Sequence, residues 1–401
     1  MKRLFLILLC VFVVMHASWM PVGATERAQI YPFLFAHEDF WYQNDTSAGT
    51  FVSSIAAKGC ILMEASTGTV LYAENETAHL PIASVTKVMA TLLIMEAIDA
   101  GKLALTDMIT VSERAASMGG SQVYLEAGEQ MSVDDLLKSL IVVSANDATV
   151  ALAEAVCGSE ESFISAMNEK CTELGLTDTH FVNTNGLPAE GHYSCAKDVA
   201  LTTRALLTHP LVLEYTGIWM DTIRGGPFGL ANTNKLVRFY KGANGMKTGF
   251  TGEAGYCLSG TAERDGMQLI AVVLGASTSE DRFALAKQLL DFGFANYEVM
   301  TPGVELPESI AVSRGTEDTV SLTCTPPSIL REKGAKELTQ TLNLPESVDA
   351  PVEQGQVLGT VTFSQNGEVV ACADVCAAHS VKKIGFGDII QRIFTNIFAV
   401  L

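Results

Sequence analysis

The sequence predicts an α/β chain of the α+β kind: one sheet carrying a block of helices, then a small β domain and an amphipathic tail. Three observations point there. Two short apolar strands early in the chain and three later ones, ending near residue 276, bracket a mainly helical stretch, so the first hairpin has to join the late strands. After Phe294 the composition shifts to short alternating stretches separated by turn signals. The end of the chain repeats apolar residues at i, i+3 and i+4.

Length and charge bound the rest. A chain of 401 residues suggests two folded units, or one large one with an appendage. With 48% hydrophobic and 18% charged residues it has a globular composition, and no long stretch reads as disordered. A formal net charge of −19 disfavours a nucleic-acid partner. An anionic substrate stays open, provided that cations gather in one cleft.

Residues 1–24 are laid out as an export signal: Lys2 and Arg3, the apolar run LFLILLCVFVVM, then Val22-Gly23-Ala24 as a small-residue cleavage site. Residues 25–54 are aromatic, rich in turn formers and without period, an irregular arm in which His37-Glu38-Asp39 reads as solvated loop. From Lys58, KGCILMEASTGTVLYAEN gives two strands around a Ser-Thr-Gly turn. Residues 85–100 are apolar on nearly all faces and stop at Gly101, which predicts a central, buried helix. Further helices are expected at 132–142 with Ser132 as cap, 147–157, 160–174, and 195–208 with Ser194 as cap and Lys197 as a structural residue. GMKTGF, GYCLSGTAE and MQLIAVVLGA then form a meander closed by a helix from about 280 to 293, completing a unit over 55–297.

A small β domain is expected over 298–378, with Asn366-Gly367 favouring a type I′ hairpin. Residues 382–401 place Phe386, Ile389, Ile390, Ile393, Phe394, Ile397 and Phe398 on one face of a helix too short to span a bilayer. Lysines 382 and 383 and Arg392 suit it to lie flat in a membrane interface; docking on the protein itself is the alternative.

Eight of the nine cysteines lie beyond the leader: Cys60, Cys157, Cys171, Cys195, Cys257, Cys324, Cys372 and Cys376. Cys372 and Cys376 on one strand would stand about 13 Å apart, beyond the reach of a bridge. The cysteines are expected to be mostly buried small hydrophobes. No CxxC, HExxH or paired-histidine spacing occurs, so neither a metal nor a cofactor is expected.

Chemistry is concentrated in three short motifs. Ser84-Val85-Thr86-Lys87 opens the central helix, where a helix cap is the simplest role for a serine. The spacing alone is weak, since Ser194 to Lys197 and Ser380 to Lys383 repeat it. What singles out Ser84 is the later arrival, in order, of Ser144-Ala145-Asn146, 60 residues on, and Lys247-Thr248-Gly249, 103 residues after that. That ordered set is the constellation of penicillin-recognising serine enzymes.

The sequence also resembles the D-alanyl-D-alanine carboxypeptidases, the low-molecular-mass penicillin-binding proteins, over nearly all of the chain beyond the leader. The shared segments are ILMEASTGTVLY, LPIASVTKVMATLLIMEA, VSANDATVALAE, FVNTNGLPAEGHYSCAKDVALTTRAL, GMKTGFTGEAGYCL and APVEQGQVLGTV. The resemblance implies a transpeptidase-like catalytic domain with a five-stranded antiparallel sheet, a small C-terminal β-sandwich and an amphipathic anchor. It further implies an exported enzyme at the outer face of the cytoplasmic membrane. Its partner would be a peptidoglycan stem peptide ending in D-Ala-D-Ala, and β-lactams would acylate and inhibit it.

The chemistry needs each piece. A serine hydroxyl becomes a nucleophile when a base takes its proton, and a lysine serves as base once burial and neighbouring cations lower its pKa. Residues three apart on a helix share a face, which brings Ser84 and Lys87 together. Ser144 would relay a proton between Lys87, Lys247 and the leaving amine, and Asn146 would orient Lys87 and bind the substrate amide. The resemblance implies that Lys247 and Thr248 face the cleft, that Gly249 lets substrate lie against the strand edge, and that the N–H groups of Ser84 and Phe250 form the oxyanion hole. Losing such a donor typically costs about 3–4 kcal/mol of barrier. Arg282 matches the family's downstream arginine and is a second candidate for the substrate carboxylate; a solvated first-turn helix residue is its simpler role.

Phe250 departs from the His or Thr common at that position. A class A β-lactamase shares the three motifs but needs a deacylating glutamate, and at its usual spacing this chain has THFVNTNG. D,D-endopeptidase activity on cross-bridges is the nearer competitor, and a non-catalytic wall-binding relative the more distant one.

Overall fold

The chain divides into two compact units, Met1–Gln43 and Asn44–Leu401. The computed structural model describes Phe51 and residues 53–390, all in the second unit. The export signal, nearly all of the arm, and residues 391–401 of the tail lie outside the described residues.

Strands β1 (Gly59–Glu64) and β2 (Val70–Glu74) form the expected hairpin. A buried carboxylate shapes its turn: Glu64, with no exposed surface, accepts the N–H and hydroxyl groups of Ser66 and Thr67 at 2.7–2.9 Å. Helix α1 (Lys87–Asp99) runs through the centre and is buried along almost its whole length, as its all-round apolar sequence requires.

Around α1 the helical block is built in order. The short pair β3 (Met108–Thr110) and β4 (Gln130–Ser132) encloses a one-turn helix, α2 (Glu113–Ala116). Helix α3 (Val133–Val142) starts where Ser132 Oγ accepts the N–H of Asp135 at 3.1 Å, the cap expected of that serine. Helices α4 (Asn146–Cys157), α5 (Glu160–Glu173) and α6 (Ala196–Leu206) follow. At α6 the cap is displaced by one residue. Cys195 Sγ, not Ser194 Oγ, accepts the N–H of Asp198, at 3.4 Å, while Ser194 is held by Thr179 at 2.7 Å. Helix α7 (Leu211–Thr216), the hairpin β5 (Met220–Ile223) and β6 (Phe228–Ala231), and the single turn α8 (Leu236–Phe239) complete the block.

Strands β7 (Ala243–Thr251), β8 (Gly255–Arg264) and β9 (Met267–Ala276) make the meander, and β1 pairs with β9. The sheet order is β2-β1-β9-β8-β7, antiparallel throughout. Helix α9 (Ser279–Asn296) covers one face, with Phe283, Leu289 and Phe294 in the same cluster as Leu62, Leu258 and Leu269. The helical block covers the other, where Ile61, Met63, Ile270 and Val272 join α1 and α4. With both faces covered, the sheet's edge at β7 is left as a place for a site.

Beyond α9, β10 (Tyr297–Met300) pairs with β13 (Ile329–Glu332). The strands β11 (Ser309–Ser313), β12 (Thr319–Cys324), β14 (Thr339–Asn343), β15 (Ser347–Asp349), β16 (Val357–Gln365) and β17 (Glu368–Ala377) join in one six-stranded sheet. The two-stranded ribbon packs on it through Ile329, Val361, Phe363 and Val375. Asn366 and Gly367, with φ of 52° and 89°, supply the two left-handed residues of the hairpin between β16 and β17. The chain stays bound to this domain past residue 378, since Val352 pairs with Val381 and Gly315 with Lys383. All eight described cysteines are unpaired, and burial pushes the thiols of Cys60, Cys171 and Cys195 up to about 12. Residues 386–390 begin a helix with Phe386, Ile389 and Ile390 exposed.

Candidate active site

Ser84 sits at the edge of β7, in a 3-10 turn, Ala83–Thr86, that runs directly into α1. It is not a helix cap: Thr86 holds that position, and no side chain caps either element. Ala83 has φ +48°, a left-handed conformation that costs a non-glycine residue about 1–2 kcal/mol. Two glycines let the surroundings close on this turn. A Cβ on Gly249 of β7 would stand 2.8 Å from Ile82 O and 3.0 Å from the amide nitrogens of Ser84 and Val85. One on Gly186 would overlap Ala83 O. The missing side chain of Gly249 therefore serves first to admit the serine's own turn against the strand, rather than a substrate as the sequence suggests.

Lys87 has no exposed surface, and its ammonium is held at three points. Nζ donates to Ser84 Oγ at 3.1 Å, Asn146 Oδ1 at 2.6 Å and Asn185 O at 3.1 Å. None of these acceptors carries a charge. Burial, together with the nearby cation of Lys247, holds the Lys87 pKa well below the usual lysine range, while the Asp147 carboxylate opposes the shift. Once neutral, the amine has a lone pair beside Ser84 Oγ and can accept its proton.

The opposite wall is the short connection between α3 and α4. Ser144 has φ +64°, and its buried Oγ has no hydrogen-bond partner among the described residues. Its hydroxyl keeps both a hydrogen and its lone pairs unengaged. Asn146 opens α4 with both ends of its amide fixed: Oδ1 on Lys87, and Nδ2 donating to Gly119 O at 2.6 Å. Among the described residues Nδ2 makes this one bond, which leaves its second hydrogen unused. Asp147, almost fully buried, accepts the N–H groups of Val123 and Leu125 at 3.1 and 3.0 Å and ties the 119–125 loop to this wall.

On β7, Lys247 is also buried, and its pKa is lowered to about 7 by burial and by the charge of Arg282. Thr248 Oγ1 donates to Thr233 Oγ1 at 2.7 Å. Phe250 is 55% exposed and lies against Tyr256, with ring centroids 4.3 Å apart. Arg282 is buried, not a solvated helix residue: Nη1 donates to Gly249 O at 3.0 Å and Cys257 O at 3.1 Å, and Nε has no partner among the described residues. It braces the strand that carries Lys247, behind Gly249.

The fold thus brings Ser84, Lys87 and Asn146 into direct contact, sets Lys247 close enough to act on Lys87 by its charge, and places Gly249 against the serine's turn. Sequence reasoning left Asp147, Asn185, Gly186, His192 and Thr233 without roles. FVNTNGLPAEGHYSCAKDV carries three of them, yet two of those act through backbone, which no residue pattern advertises. A possible cation site was also missed: Asp178, Cys195 and Asp198 gather their donor atoms within 4.8 Å. Its ligands are already engaged, with the Cys195 thiol capping α6 and Asp198 accepting from Asp178 N and Thr179 Oγ1 at 2.9 and 2.8 Å.

A family model described as D-alanyl-D-alanine carboxypeptidase matches residues 44–278, and one described as penicillin-binding protein 5, C-terminal domain, matches residues 294–383. The D-alanyl-D-alanine carboxypeptidase DacF of Bacillus subtilis is 44% identical over 345 residues, covering 84% of this chain and 88% of that protein. DacC of Escherichia coli is 36% identical over 371 residues, 88% and 90% of the two chains. Penicillin-binding protein 5 from Haemophilus influenzae superposes with a TM-score of 0.72 at 32% identity, over 84% of this chain and all of that one. Penicillin-binding protein D2 of Listeria monocytogenes, in its ampicillin-bound form, gives 0.56 at 35% identity, over 61% and 99%. The chain belongs to the D-alanyl-D-alanine carboxypeptidase family.

Proposed function

We propose that, as a member of that family, this chain removes the terminal D-alanine from peptidoglycan stem pentapeptides through an acyl-enzyme on Ser84. The observation that carries this is Lys87, buried between Ser84 Oγ and Asn146 Oδ1 with no carboxylate to hold its proton. Ser84 Oγ attacks the carbonyl carbon of the penultimate residue while Lys87 takes its proton. The oxyanion forms against the N–H groups of Ser84 and Phe250. As the C–N bond breaks, the proton passes by way of Ser144 to the departing amine of D-alanine. Water then attacks the acyl carbon and gives its proton to Lys87; as the bond from that carbon to Ser84 Oγ breaks, the proton returns to Ser84 Oγ and the shortened peptide leaves as its carboxylic acid.

Lys247 and Thr248 receive the substrate carboxylate, and Arg282 contributes by bracing β7 and by its charge. β-Lactams enter the same path and stop at the acyl-enzyme; the ampicillin-bound Listeria protein supports this. Purified protein should release D-alanine from a stem pentapeptide and be labelled covalently by a fluorescent penicillin. Labelling of Ser84→Ala at the wild-type rate would defeat the mechanism.

The chain acts, in this proposal, outside the cytoplasm on the outer face of the membrane, exported by residues 1–24 and held by the amphipathic segment 382–401. The exposed Phe386, Ile389 and Ile390 support that anchor. Flotation with anionic lipid vesicles, with and without residues 382–401, checks it: equal flotation removes the anchor.

A further inference from the structure

Loop 181–192 packs against the serine's turn through three of its residues. It supplies Asn185 O to Lys87 Nζ and Gly186 to the Ala83 carbonyl. Its last residue, His192, is buried and reaches the turn itself, with Nε2 2.8 Å from Thr86 Oγ1. The tautomer follows from the other nitrogen: Nδ1 accepts the N–H of Val182 at 3.0 Å, so Nε2 carries the hydrogen and donates it to Thr86. Among the described residues, this is the one side-chain hydrogen bond brought to Ala83–Thr86 from a distant part of the chain. The turn it meets has a left-handed Ala83 and no capping side chain.

We propose that His192 is a positioning residue for acylation: by donating to Thr86 it holds the Ser84-to-Lys87 turn in register with Asn146. The ring neither touches substrate nor moves a proton. Its imidazole stays neutral, because a second ring proton would point into the Val182 N–H. The ring's other bond, accepted at Nδ1 from Val182 N–H, ties the two ends of the 182–192 segment together, so Asn185 O and Gly186 are delivered with the ring. Loss of the bond to Thr86 lets Ser84 Oγ drift from Lys87 Nζ while the fold around it stands. This inference rests on Ser84 and Lys87 being the reacting pair.

The test measures second-order acylation by fluorescent penicillin, with kcat and KM for pentapeptide, on the full chain. His192→Gln places an amide near the position of Nε2 and can still donate to Thr86; His192→Asn reaches only as far as Nδ1. Thr86→Val removes the acceptor and leaves the histidine, and Thr86→Ser restores it. His192→Asn and Thr86→Val are each expected to acylate about 5- to 100-fold more slowly, the range of one buried hydrogen bond lost with its partner stranded. The loss should fall on kcat more than on KM, and His192→Gln and Thr86→Ser should recover most of it. The double variant His192→Asn with Thr86→Val should be no slower than the worse single one. Wild-type rates in Thr86→Val, or multiplied effects in the double variant, overturn the proposal. Failure of Ser84→Ala to abolish labelling would instead overturn the reading beneath it.

Discussion

Two buried lysines near opposite ends of α1 differ in one respect, and their chemistry diverges. At the start of the helix, Lys87 donates only to neutral acceptors, burial and a second cation outweigh the opposing Asp147 carboxylate, and its proton is held loosely. Near its end, Glu96 meets Lys170 of α5 at 2.9 Å, and Glu173 closes on the same ammonium at 2.6 Å. Those carboxylates outweigh burial and raise the Lys170 pKa above the ordinary lysine value of 10.5. Burial alone therefore does not make a lysine reactive. Burial without a carboxylate bonded to the ammonium makes a base, and burial with one makes a strut.

Giving Lys87 a countercharge is the sharpest way to break this contrast. Asn146→Asp puts a carboxylate where Oδ1 now stands, and a carboxylate that close raises a lysine pKa by about 1–3 units. Acylation at pH 7 should fall about 10- to 1000-fold, with the rising limb of the pH–rate profile moved to higher pH. An unmoved limb would show that countercharge is not what separates the two lysines.

Next in size is the pH dependence of stability that Lys247 imposes. Its folded pKa of about 7 lies below the ordinary lysine value of 10.5, so the folded state binds fewer protons between the two. The stabilisation is full above 10.5 and is lost as pH falls through about 7. Urea midpoints should rise from pH 7 to pH 9.5, and Lys247→Met should flatten the rise.

The smallest effect belongs to the strut. Glu96→Gln with Glu173→Gln strands the Lys170 ammonium and should cost about 1–3 kcal/mol of unfolding free energy, with acylation unchanged. Because the Lys170 pKa is raised, that loss is seen in full below 10.5 and fades at higher pH. A matching fall in acylation would mean that the two ends of α1 are not independent.

The sequence made the catalytic motifs legible because a nucleophile, a base and their orienting partners are side chains with restricted chemistry and fixed order. It also revealed the hairpin and the meander through short apolar runs bounded by turn residues, and α1 through a long apolar run ended by Gly101. The β5–β6 hairpin was not legible: each strand has four residues, and Met220 is left exposed. Arg282 was seen as a candidate for the substrate carboxylate, with a solvated role as the alternative, and its brace on two strand carbonyls was foreseen by neither, since a helix-start arginine reads the same whatever it faces. Asn185 O and Gly186 were hidden for another reason. They act as a carbonyl and as an absence, and only chain closure brings them to Ser84.

That absence has a consequence for how the site tolerates change. Gly186 and Gly249 are the smallest residues near Ser84, and neither offers a side-chain functional group. Yet a single added carbon at either would collide with the backbone of the serine's turn. Scored by a saturation library, both positions would look as intolerant as the nucleophile. The map would then mark as essential two residues whose whole contribution is to occupy no space.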